Sequence, residues 1–230
     1  MVSDDNKLKS TGGDVMHTIV KAGLSAFPLI GGPAAELFSA IIIPPLSKRR
    51  DKWIASIATG LRDLEVKTAG FSIEALSENE VFITTVLHAT QAAIRNHQPE
   101  KLVAFKNAVL NTAIAPSVDE NIILIFLNSV DTLTPWHLKI LQLFKNPTEW
   151  ARVNGINFEN AGAPAHILEQ AFNELRGNRA IYDLLVKDLY ANGLMNIESL
   201  HTMMTPSGVV ASRTTNLGNK FLDFITEPEF

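Results

Sequence analysis

Between residues 22 and 46 the chain carries one charged side chain, Glu36, so as a single helix the span could cross a bilayer. Its prolines and glycines oppose that reading. Pro28, Gly31, Gly32 and Pro33 interrupt the middle, and Pro44-Pro45 close the end. The expected outcome is two short helices, 14–27 and 33–43, each too short to span alone. They would form a buried hairpin about the Gly31-Gly32 turn, with Pro33 at a first helical position where its missing N–H costs nothing. In that hairpin Leu24, Ile30, Phe38 and Ile42 would lie under the rest of the bundle. Residues 1–13 are polar and mixed in charge, which reads as a frayed tail and not as a secretory signal.

After the prolines comes an amphipathic helix, 45–67. Trp53, Ile54, Ile57, Leu61 and Leu64 recur at the spacing that lines one helix face. Its head is basic: Lys48, Arg49, Arg50 and Lys52. Cations at a helix N-terminus oppose the macrodipole, which marks these four residues as a candidate interaction or lipid-headgroup surface.

Composition narrows the function classes. Apolar residues make up 46% of the 230 and charged residues 19%, a globular balance. The net charge of −4 gives no general reason for nucleic acid or an anionic membrane as partner. The acidity lies in the second half, where 116–230 hold 8 Lys/Arg against 13 Asp/Glu. With no cysteine, disulfide and thiolate chemistry are out, and a reducing cytoplasm is the default location. No phosphate-binding glycine loop and no Gly-x-Ser-x-Gly occurs. The histidines His17, His88, His97, His137, His166 and His201 are scattered, without metal-ligand spacing. No catalytic residue, metal ligand or cofactor site is therefore named.

The middle of the chain is helical. Ser77 with Glu80 reads as a capping box, Pro99 restarts the chain after Asn96-His97-Gln98, and Asp119 caps a run that is apolar on nearly every side. Thr134-Pro135 form the cap and first residue of a further helix. A glycine- and asparagine-rich connection, 146–163, follows, with one short helix at 148–152. Pro164 then opens a helix to about Arg176, and 179–191 form another. Leu194-Met195-Asn196-Ile197 and Val209-Val210-Ala211-Ser212 read as strands around a polar tip at 205–208. Thr214 or Thr215 caps the last helix.

This ending, with "ANGLMNI" and "TTNLGNKFLDFI", resembles the winged-helix arrangement. In that family a helix near a Gly-Leu feeds a two-stranded wing and a Thr-x-x-Gly helix follows. With "FPLIGGP", "PPLSKRRDKW" and "TPWHLKIL", the whole chain also resembles uncharacterised bacterial proteins that pair a helical N-terminal part with such an ending. That resemblance implies no activity. The expected fold is mainly α: a tail (1–13), a bundle of antiparallel helices (14–145), a connection (146–163) and a small winged-helix-like α+β part (164–230).

For duplex DNA the winged-helix-like part offers Arg179, Lys187 and Arg213. Residues 164–226 hold five basic residues against six acidic, a weak phosphate grip that argues against nucleic acid. The reading carried forward is a non-enzymatic, soluble helical interaction protein that docks a protein partner through its C-terminal end. The alternatives are a membrane-acting effector inserting residues 14–43 and a DNA-binding regulator. Partner identity and oligomeric state are not encoded in any motif.

Overall fold

In a computed structural model the chain is described over residues 33–114, 119–159 and 161–228, with side-chain surroundings from Leu46 onward. The described residues are mainly helical. In chain order the helices are α1 (Pro33–Lys67), α2 (Glu80–Arg95), α3 (Pro99–Ile114), α4 (Glu120–Thr132) and α5 (Pro135–Lys145). They continue with α6 (Pro147–Asn154), α7 (Pro164–Ala171), α8 (Arg179–Ala191), α9 (Pro206–Val209) and α10 (Asn216–Ile225). Six of them begin on a proline, the position where the ring presets φ and its absent N–H would have had no partner.

The largest departure from expectation is α1. The chain does not stop at Pro44-Pro45 but continues as one helix from Pro33 to Lys67. A proline's φ is already helical, so the pair can lie within a helix although it withholds two N–H donors and crowds the preceding turn. The basic head therefore sits in mid-helix, and the expected conflict with the macrodipole does not arise. The proposed helix 14–27 lies outside the described residues, as do Leu24 and Ile30 and the side chains of Phe38 and Ile42. Further along α1, Trp53, Ile57, Leu61 and Leu64 are buried as the spacing predicts, whereas Ile54 faces out.

Local capping fixes most other boundaries. Asn79, not Ser77, caps α2, its Oδ1 accepting the Phe82 N–H at 3.0 Å. Ser77 instead closes a short 3-10 turn by donating to the Glu74 carbonyl. Asp119 caps α4 as expected, accepting from the Asn121 N–H at 2.8 Å. That helix buries Ile123, Phe126, Leu127 and Val130 but leaves Ile125 at 51% exposure, so one face of it is open. Asn146 caps α6 and Gly155, in the left-handed region at φ 66°, ends it. α7 stops at Ala171, earlier than expected, and a 3-10 turn carries the chain to Leu175.

One buried cluster runs from Trp53 to Ile225. α3 packs against α1, α2, α4 and α10, while α5 packs against α6, α7, α8 and α10. The last helix thus bridges the two groups, and its Phe221 and Phe224 meet Phe126 of α4 at ring-centroid distances of 5.4 and 5.5 Å. Its C-terminal carbonyls, orphaned by helix geometry, are taken up by α3. Asn107 Nδ2 donates to the Ile225 carbonyl at 2.9 Å, and Asn111 Nδ2 to the Phe224 and Thr226 carbonyls at 2.8 Å.

No strand occurs among the described residues of the C-terminal part. Where a wing is expected, the only pairing described is an isolated antiparallel bridge between Met195 and Thr214. Val209-Val210 lie not in a strand but at the end of α9. Thr205 caps that turn, its hydroxyl accepting the Gly208 N–H at 3.2 Å, and Pro206 opens it. Start signals for a helix override the β preference of two valines there. The Thr-x-x-Gly pattern has a direct physical reading. Thr215 donates through its hydroxyl to the Gly193 carbonyl at 2.6 Å and accepts from the Gly218 N–H at 2.9 Å. Gly218 lies so close to the Leu194 backbone that a Cβ there would run into the Leu194 carbonyl oxygen.

At the head of α5, His137 is 5% exposed. Its Nδ1 accepts the Thr134 N–H at 3.0 Å and lies 2.9 Å from the Thr134 hydroxyl, while Nε2 faces Asp188 of α8 at 3.4 Å. Burial holds its pKa below the ordinary imidazole value; the Asp188 carboxylate pulls the other way and nearby Lys101 reinforces the lowering.

Two measurements follow from this packing. Gly218→Ala should destabilise the protein by about 3 kcal/mol, because backbone, not a side chain, must move; a loss near zero in urea unfolding would contradict the close approach. His137 is lowered in the fold, so the unfolded chain binds the proton more readily. Its contribution is whole above about pH 6.5 and is lost as pH falls below that value. His137→Asn should therefore flatten the stability difference between pH 7.5 and 5.5, values that bracket about one unit either side of imidazole's ordinary pKa. An unchanged difference would contradict the assignment.

Candidate functional site

Three helices meet around a recess of about 270 Å³. α1 supplies Arg49, Lys52, Trp53 and Ser56, α3 supplies Leu102, Val103 and Lys106, and Ala93 and Asn96 at the end of α2 close the corner. The spacing 49, 52/53, 56 places the first group on one face of α1, and 102, 103, 106 do the same on α3. The floor is apolar. Trp53 is 5% exposed and anchored by its indole N–H, which donates to the Thr90 hydroxyl at 2.9 Å. Val103 stands at the edge with 55% of its surface exposed.

Polar groups around the recess are mostly spent locally. Asn96 Nδ2 donates to the Ala92 carbonyl and Ser56 Oγ to the Trp53 carbonyl. Arg49 Nη1 reaches the Ile94 carbonyl at 3.4 Å, a weak contact that leaves the guanidinium facing solvent without a carboxylate. Lys52 and Lys106 have no carboxylate within ion-pair distance among the described residues. Several cations elsewhere are paired: Arg95 with Asp131, Lys139 with Glu100, Lys145 with Asp223 and Arg152 with Glu149. Here an apolar recess carries three cations at its rim. Its lining residues include no carboxylate and no imidazole. Chemically the arrangement can hold an apolar group attached to an anion.

Of the four basic residues singled out from sequence, the fold brings Arg49 and Lys52 to this rim. Lys48 is exposed and does not line the recess, and Arg50 contacts its neighbour Asp51 at 3.4 Å. Lys106 is the partner that sequence reasoning missed. It is more than fifty positions away from the basic run and has no local cluster to announce it.

The residues weighed for DNA are arranged differently. Arg179 pairs with Asp183 at 3.2 Å, and Lys187 is exposed on α8. Arg213 turns its guanidinium back onto the Gly208 carbonyl and the Met204 sulfur at 2.9 Å, holding the loop around α9. Asp183 also meets His201 Nε2 at 2.6 Å, next to Tyr182, whose hydroxyl donates to Glu169 at 3.0 Å. Burial first, then the Glu169 carboxylate, push the Tyr182 pKa up to about 12. These contacts tie α7, α8 and the 197–205 segment together. Among the described residues no group of His, Asp and Glu is placed to hold a metal ion, and no helix is long and apolar enough to cross a membrane.

Comparison with protein-family models, with curated proteins and with solved structures finds no match to this chain.

Proposed function

We propose that the protein is a non-enzymatic helical interaction protein and that the groove between α1, α2 and α3 is a docking site. The observation that carries this reading is three cations without carboxylate partners, Arg49, Lys52 and Lys106, set around an apolar floor. Exposed ion pairs are worth little to stability, so leaving these cations unpaired costs the fold little and keeps them available to a partner. Recognition sites typically join an apolar recess to a few polar groups that fix orientation.

A second docking face lies at the C-terminal end. Ile181 and Leu184, one turn apart on the outer side of α8, are 53% and 59% exposed. A winged-helix-like end that docks protein would present its second helix in this way. The groove is the better supported of the two because charge and shape coincide there.

A fluorescent apolar anion, anilinonaphthalene sulfonate, tests the groove on the full chain. Saturable binding with a Kd on the order of 10–100 µM is expected, the range for a ligand of that size. Lys52→Glu with Lys106→Glu should weaken it at least about tenfold while leaving stability within about 0.5 kcal/mol, as surface changes do. Binding unchanged by the pair of substitutions, or no binding at all, contradicts the proposal.

A further inference from the structure

We infer that the occupant of this groove is an acidic segment of a partner protein that carries one or two large apolar anchor side chains. The inference rests on the docking reading above and narrows it to one class of partner. Size is the first argument. A recess of about 270 Å³ lies just below the roughly 300–1,000 Å³ of sites that engulf a small molecule. It has room for the tip of something larger, such as a side chain projecting from a chain that continues past the rim.

Shape excludes a bilayer as the better fit. Membrane-binding elements reach lipid with a protruding apolar face, whereas here the buried Trp53 and half-buried Leu102 line a recess between α1 and α3. Lys52 is exposed at the rim above that floor. A single-stranded nucleic acid would need an aromatic face for stacking as well as phosphate contacts, and a duplex a longer row of phosphate-contacting cations than these three. Trp53 offers no such face, being 5% exposed with its indole N–H committed to Thr90.

Charge supplies the third argument. Arg49 and Lys52 on α1 and Lys106 on α3 stand on two different walls, so an anchor entering between them has cations on both sides. Carboxylates flanking an apolar anchor would neutralise both walls at once. Charge arranged in this way fixes register and raises association rates more than it adds raw affinity.

The test uses the full chain and a fluorescein-labelled peptide with a Leu-Phe anchor flanked by about three glutamates on either side, a short-segment recognition format. Fluorescence anisotropy should show saturable binding, weakened at least about tenfold by Lys52→Glu with Lys106→Glu and by raising salt from about 0.05 to 0.5 M. Lys220→Glu, at an exposed cation on α10, should leave it unchanged. A peptide with lysines in place of the glutamates, and one with alanines in place of the anchor, should both fail to bind. Equal binding of either control peptide overturns the inference, and so does absence of binding by the acidic peptide. Two further results would assign the groove to another occupant and also overturn it. One is phosphatidylglycerol vesicle binding lost in the Lys52/Lys106 variant; the other is a dimer in sedimentation that the same variant dissolves. If anilinonaphthalene sulfonate binds at the groove but the acidic peptide does not, the docking site stands and only its assigned partner falls.

Discussion

Two asparagine side chains, one turn apart on α3, hold the end of the last helix, and much of the architecture depends on that grip. Asn107 and Asn111 take up the carbonyls that α10 cannot satisfy itself. The chain is thereby closed between positions more than a hundred residues apart. At its other end α10 presses Gly218 onto the Leu194 backbone, and Thr215 pins the junction. With Phe221 and Phe224 packed on Phe126, this helix joins the group of helices around α3 to the group around α5. A buried amide such as that of Asn107 adds directional constraint to apolar contact, because misplacing it leaves a desolvated polar group.

The same helix α3 serves the candidate site. Val103 and Lys106 face the groove, while Asn107 and Asn111, a turn further on, face α10. A wall of the groove is therefore held from the adjoining side of the same helix. On its far side, α1 brings its cations from mid-helix positions, where the macrodipole is indifferent to them. A rigid apolar recess with unpaired charge at its rim is a preorganised surface, and preorganisation lowers the entropic cost of docking.

Much of the helical layout was legible because single residues announce it. Asp119 and Thr134 cap where their side chains permit, and Pro99, Pro135 and Pro164 open helices as their fixed φ favours. Other local signals did not decide the path. Pro44-Pro45 read as a stop, yet α1 passes through them. Val209-Val210 read as a strand, yet Thr205 and Pro206 start a helical turn just before them. The groove was half legible. Arg49 and Lys52 stood out as a basic run, but Lys106 joins them only because α1 and α3 pack face to face, with the Lys106 stem against Gly60. No single-sequence spacing encodes such a meeting.

The central claim is that α10 and α3 form one cooperative unit on which the groove's wall depends. Native-state hydrogen exchange tests it most directly. The amides of Leu222 and Ile225 in α10 should exchange with the same opening free energy as those of Val109 and Leu110 in α3, by global unfolding. An opening of α10 that costs about 2 kcal/mol less than that of α3, leaving the α3 amides protected, would contradict it.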